Sequence, residues 1–140
     1  MANLIVVGVD GGEPSLQAAH RAAELAVSLD ADLHVLTAVT RATVEEFPYR
    51  PGSTLLTSGE VAESVAASVA AELEPTVPHV TSAVLQGTPA AALVDEANRL
   101  GASLIVVGNG GVQGVGRVLG SVASGVAAHA PCDVYIVKTD

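Results

Sequence analysis

The sequence predicts an α/β fold: an open, parallel, five-stranded sheet with helices on both faces. Three observations carry this. The runs "LIVVGV" at Leu4 to Val9 and "LIVVG" further on lack polar alternation, as expected of strands covered on both faces. Strand-like and helix-like segments alternate along the chain, which implies parallel pairing through right-handed crossovers. Hydrophobic residues make up 49% of the chain but aromatics only 2%, so the interior is built from Val, Ala, Leu and Ile, a mixture suited to helices lying flat on a sheet. At 140 residues, 1–140 reads as one domain able to bury a core without staples.

The opening unit is strand Leu4 to Val9, the glycine turn "DGGEPS", and a helix with Leu16, Ala19, Ala23, Ala26 and Val27 on one apolar face. "ADLHVLTAV", Ala31 to Val39, is the second strand. A helix in "EVAESVAASVAAEL" places Val61, Val65, Val69 and Leu73 at steps of four. "VTSAVLQG" is the third strand, followed by Thr88 as N-cap, Pro89 as first helical residue, an apolar face of Leu93, Val94, Ala97 and Leu100, and Gly101 as stop. "ASLIVVG" is the fourth strand, "SVASGVAAHA" the last helix, and "CDVYIVK" the fifth strand. Arg41 to Gly59 is the one long irregular stretch, read as a surface loop or a flap over a binding crevice.

Net charge is −9, which opposes general attraction to nucleic acid. A phosphate ligand would have to be held by local geometry, mainly backbone N–H groups. No apolar run approaches the roughly 20 residues of a membrane span, and the amino-terminal stretch has no signal-like pattern; the expected location is the cytoplasm. The single cysteine, Cys132, excludes an intrachain disulfide and reads as a small buried hydrophobe. The four histidines, His20, His34, His79 and His129, lie on different elements without metal-ligand spacing, and Asp95-Glu96 reads as a solvated helix face. His129 is placed at a helix C-terminus, too far along its helix from Ser121 to serve it as a base. No catalytic residues are assigned.

Six of the 14 glycines fall in "VVGNGGVQGVGRVLGS", Val106 to Ser121. The segment is not a P-loop, because Arg117 and Val118 stand where Lys and Ser or Thr are needed. It is not a dinucleotide fingerprint either, since "GVGRVLG" lies beyond the tight first turn after its strand. What remains is "GNGG" after a buried strand and Gly120-Ser121 before a helix, two sets of backbone donors suited to an anion. Ser121 can donate its hydroxyl to a phosphate or cap its helix. In open sheets ligands sit beyond the carboxyl ends of strands where strand order reverses, and Asp10 and the Gly108 segment meet there if the first and fourth strands are neighbours.

With "VVGVDGGEPS" at the start and "LIVVGNGGVQGVGRVLGSVASGVAAHAPCDVYIVK" at the end, the chain resembles the universal stress protein family over essentially its whole length. The resemblance implies a Rossmann-like sheet of strand order 3-2-1-4-5. Nucleotide-binding members carry Gly, two residues, Gly, nine residues, Gly, then Ser or Thr; Gly108, Gly111 and Gly120-Ser121 match, but Val112 to Leu119 is eight residues. Gly12 also replaces the Ser of many members, with Ser15 as a nearby substitute. By this resemblance Gly8, Val9, Asp10 and Ala38 line an adenosine pocket, Gly108, Asn109 and Gly111 meet ribose and phosphates, and Gly120, Ser121 and Val122 meet the phosphates from the other side. The implied ligand is ATP or another adenine nucleotide such as AMP or cyclic AMP, with Asp10 as the candidate carboxylate for Mg2+. The implied role is a non-catalytic sensor or regulator in stress response. The alternatives are a nucleotide-free interaction protein of the same fold and a weak nucleotidase. The resemblance further implies a homodimer through the edge strand Val134 to Val137.

Overall fold

The computed structural model describes residues 3–40, 58–110 and 119–139. Five strands and four helices alternate: β1 (Asn3–Gly8), α1 (Glu13–Leu29), β2 (Ala31–Val39), α2 (Ser58–Leu73), β3 (Val80–Gln86), α3 (Pro89–Leu100), β4 (Leu104–Gly108), α4 (Ser121–His129) and β5 (Asp133–Val137). The strands form one parallel sheet of order β3-β2-β1-β4-β5, as expected. The first strand ends one residue early: Val9 leaves the ladder, although its N–H still donates to Leu36 O at 2.9 Å.

β1 is the spine because it is covered on both faces. Ile5, Val7 and Val9 point into a layer shared with α1 and the end of α2, while Val6 points into one shared with α3 and α4. Ile5, Val6 and Val7 are fully buried, each contributing about 1.5–3 kcal/mol. The helix faces are turned from their expected positions. On α1 the buried stripe is Ala18, Ala19, Ala22, Ala23 and Ala26, and Val27 is 56% exposed. On α2 Ala62, Ala66 and Ala70 are buried with Leu73, whereas Val61 is 39% exposed. Alanine, lacking bulk beyond Cβ, lets a helix axis approach a sheet already crowded by Val and Leu; the valines then flank the contact.

α3 carries the signals that were legible in the chain. Thr88 Oγ1 accepts from Ala91 N at 3.4 Å, Pro89 opens the first turn, and Gly101 closes the helix in the left-handed region at φ 66°. α4 packs on it so tightly that a Cβ at Gly125 would lie 2.8 Å from Ala90 Cβ.

The expectation that Glu96 is solvated is overturned, and two of the histidines meet carboxylates. Asp95 is exposed, but Glu96 is only 1% exposed and His34 7%. His34 Nε2 lies 2.9 Å from Glu96 Oε2, and Arg99 Nε donates to Glu96 Oε1 at 2.7 Å. A buried carboxylate needs such partners. On α3 the exposed Asp95 and the paired Glu96 are separated by one helical step, which a list of adjacent carboxylates does not resolve. His20 likewise meets Glu72 across α1 and α2. The hydrogen bond from Arg99, opposed by burial and aided by the bond from His34, holds the Glu96 carboxyl below its ordinary value.

Two outcomes are expected in denaturant titrations. Gly125→Ala lowers stability by about 1 kcal/mol, since overpacking at about 1–3 kcal/mol exceeds the gain in helix propensity of up to about 1; a gain in stability would show that α3 and α4 are not in close contact. Glu96→Gln lowers stability at neutral pH by about 1–3 kcal/mol. Because the folded carboxyl titrates below its ordinary 4.5, this difference is complete above that pH and shrinks as pH falls through the folded value.

Candidate functional site

At the carboxyl ends of β1 and β4, where strand order reverses, a cleft of about 170 Å³ opens between the sheet, α1, α3 and α4. Its buried lining is apolar, from Val9, Leu36, Leu93 and Val107. Nearer the mouth lie the more exposed Asp10, Ser15, Ala38, Gly108, Gly110 and Val122. This is the position at which doubly wound sheets hold ligands. Ala38, next to the last residue of β2, contributes only a methyl group to the lining.

The turn after β1 is closed by its own side chains. Asp10 Oδ1 accepts from Gly12 N and from Ser15 Oγ, both at 2.8 Å, while Asp10 N donates to Ser15 Oγ at 3.1 Å. Gly12, the N-cap of α1, has no capping side chain, so Asp10 satisfies that amide in its place. A Cβ at Gly12 would lie 3.1 Å from Asp10 Oδ1. Ser15 therefore faces Asp10 rather than free space, and only Asp10 Oδ2 is left without a bond among the described residues.

The two ends of the glycine segment come together. Gly120 N donates to Asn109 O at 2.9 Å, and a Cβ at Gly120 would lie 2.9 Å from Gly110 O; no side chain fits. This corrects the expectation that Gly120 offers a free amide. Ser121 is the first residue of α4 and not its cap, which is Gly120. Its hydroxyl is exposed and bonds to no described residue. The first-turn amides of α4 at Ser121, Val122 and Ala123 have no acceptor inside the helix, so unpaired donors remain one residue further along. Asn109 is also committed: its Oδ1 accepts from Thr139 Oγ1 at 2.8 Å and Thr139 N at 3.1 Å, and its N–H donates to Val137 O at 2.8 Å. It ties down the strand end beside the cleft and keeps only its amide N–H2 for other use.

Of the expected residues, Gly8, Val9, Asp10, Ala38, Gly108 and Val122 line the cleft; Asn109, Gly120 and Ser121 flank it in the chain. Gly111 lies outside the described residues, as do 41–57, most of the long irregular stretch. Gly8 plays a different part: a Cβ there would sit 3.0 Å from Leu93 Cδ1, so its bareness makes room for the cleft wall. Leu93 and Pro89 of α3, Leu36 and Pro14 were missed. The available signal was Thr88-Pro89, which starts α3 at the same sheet end and places Leu93 one turn in. His129 ends α4, with Nδ1 3.1 Å from Gly125 O. Cys132 stands apart, and burial, with Asp133 beside it, raises its thiol pKa, so it stays protonated. No group of three metal-ligating side chains occurs among the described residues, and no described helix is long and apolar enough to cross a membrane.

The universal stress protein family matches residues 1–138. A universal stress protein of Methanocaldococcus jannaschii, MJ0531, is 31% identical over 137 residues, covering 96% of this chain and 81% of its own. Universal stress protein Rv1636 of Mycobacterium tuberculosis is 33% identical, covering 96% and 95%. Among solved structures, a universal stress protein in complex with cAMP superposes with a TM-score of 0.77 at 30% identity, covering 99% of this chain and 98% of that one. With the fold, the strand order and a match over nearly every residue in agreement, the chain belongs to the universal stress protein family.

Proposed function

We propose that this protein is a non-catalytic, cytoplasmic regulator that binds an adenine nucleotide in the cleft. The observation that carries the reading is the cleft's mixed lining: apolar side chains at Leu36, Ala38, Leu93 and Val107, with Gly108, Gly110 and the unpaired first-turn amides of α4 beside them. Adenine enters the slot, ribose lies over Gly108 beside Asp10 Oδ2, and phosphate meets the helix N-terminus, where unpaired N–H groups and the helix dipole favour an anion. The cAMP complex of a protein 30% identical supports the ligand class.

Phosphate number follows from charge. The chain carries −9, and Asp10, with one oxygen already engaged, is the carboxylate available to Mg2+ at the mouth. Mg2+ would be held chiefly by the nucleotide's own phosphates, with several waters retained, and would neutralise them; Asp10 fits that limited part. A cyclic or monophosphate nucleotide needs no such neutralisation and is the favoured ligand, with Mg-ATP the second. The protein acts as a homodimer joined at β5, which pairs with β4 alone among the described residues and leaves its outer edge open.

In thermal melts, cyclic AMP or AMP at a hundredfold excess over Kd is expected to add about 2.7 kcal/mol. Ala38→Phe fills the slot and removes this gain while the ligand-free melting temperature stays close to that of the unaltered chain. Absence of any shift with cyclic AMP, AMP and Mg-ATP at millimolar concentration would contradict the reading. Sedimentation is expected to show a dimer at micromolar concentration, and Ile136→Lys a monomer; a monomeric parent chain rules out the β5 contact.

A further inference from the structure

At the other end of the sheet from the cleft, β2, β3 and α3 assemble a carboxylate, an imidazole and a hydroxyl in one line. His34 pairs with Thr81 across the β2-β3 ladder. Thr81 Oγ1 lies 2.6 Å from His34 Nδ1, and His34 Nε2 lies 2.9 Å from Glu96 Oε2. His34 and Glu96 are buried, and Thr81 is exposed on β3, which pairs with β2 alone among the described residues.

Chemistry assigns the protons. An ionised carboxylate only accepts, so Nε2 carries a proton, and in the neutral imidazole Nδ1 then presents its lone pair. Thr81 O–H then donates to Nδ1. Arg99, bonded to Glu96 Oε1 at 2.7 Å, keeps that carboxyl ionised and oriented. A surface hydroxyl whose proton is held by a neutral imidazole, itself fixed by a carboxylate, is the arrangement that activates hydroxyl nucleophiles. Beside it lie further donors. Gly87 N donates to Val39 O, and His79 O accepts from Leu33 N, so odd-numbered residues of β3 face β2 and, by the period of two, the amides of Val80 and Ser82 point out from the edge.

We propose that Thr81 is an acyl-acceptor site, taking the acyl group of small activated carboxylic esters with His34 as its general base. Thr81 Oγ1 attacks the ester carbonyl carbon, forming a C–O bond, while its proton passes to His34 Nδ1. The carbonyl oxygen takes the displaced electron pair and returns it as the bond to the leaving alkoxide or phenolate breaks. The leaving group recovers its proton from imidazolium or leaves as the anion, and the product is an ester of Thr81. Glu96 positions His34 and stabilises the imidazolium. Neither oxidant nor metal enters the step. The site shares no residue with the nucleotide cleft, so it stands or falls independently of that reading.

The full chain, incubated with p-nitrophenyl acetate at neutral pH, is expected to release about one equivalent of p-nitrophenolate as a burst and to gain the mass of one acetyl group, mapped by peptide sequencing to Thr81. Thr81→Val keeps the β-branched shape of an exposed edge position but removes the nucleophilic oxygen, so less than about a tenth of the burst is expected to remain; Thr81→Ser restores it. Competing acceptors are few, Lys138 being the only lysine. Acetyl found on Lys138, the amino terminus or other side chains but not on Thr81 overturns the proposal, as does a Thr81→Val burst equal to that of the parent chain. Mapping on the unaltered chain decides the matter even if a variant fails to fold.

Discussion

Everything at the cleft depends on one backbone contact, the approach of Gly120 to Asn109 and Gly110. The Gly120 N–H reaches Asn109 O at 2.9 Å, and Gly110 O occupies the place a side chain on Gly120 would need. This contact brings the start of α4 against the end of β4, although the two are separated in sequence by the glycine segment. It also consumes an amide that a ligand could otherwise use. The unpaired amides that remain are those of the first turn of α4, while Gly108 and Gly110 line the cleft beside them. Asn109 secures the other side of the same junction through Thr139 and Val137. Main chain thus frames much of the mouth of the cleft, with Asp10 as the charged side chain among its lining residues.

The layers above and below the sheet obey a second constraint, the scarcity of aromatics. With little bulk available, the helices approach closely on alanine and glycine: five alanines of α1 are buried, and Gly125 of α4 leaves no room for a methyl group beside Ala90. Close packing of this kind tolerates little change in volume. Gly8 is likewise bare beneath Leu93, one of the residues that wall the cleft.

The alternation of strands and helices was readable because it rests on strong local signals, β-branched runs and Thr88-Pro89 with Gly101, whereas the strand order 3-2-1-4-5 came with the family resemblance. Helix rotation was less legible. Valine and alanine alternate on α2 at similar spacing, and hydrophobicity alone favours the valine face, whereas close approach to the sheet selects Ala62, Ala66 and Ala70. The polar cluster escaped for another reason: His34, Thr81, Glu96 and Arg99 come from three elements, and only the β2-β3 register and the turn of α3 bring them together. Asp10 was named as a candidate and Ser15 as a nearby substitute for the serine absent at Gly12, but not that each would first satisfy the other. Local hydrogen bonding claims polar groups before a ligand does, and one-dimensional spacing does not reveal which atoms remain.

The central claim is that the slot between Ala38 and Leu93 receives an adenine ring while phosphate rests on the first turn of α4. Methyl-labelled NMR during titration with cyclic AMP tests it directly. Saturable shifts centred on the methyls of Ala38, Leu93, Val107 and Val122, with those of Val27 and Leu29 on the opposite layer unmoved, are the result this account requires. Saturable binding that leaves the four cleft methyls unperturbed, or no binding at millimolar nucleotide, would contradict it.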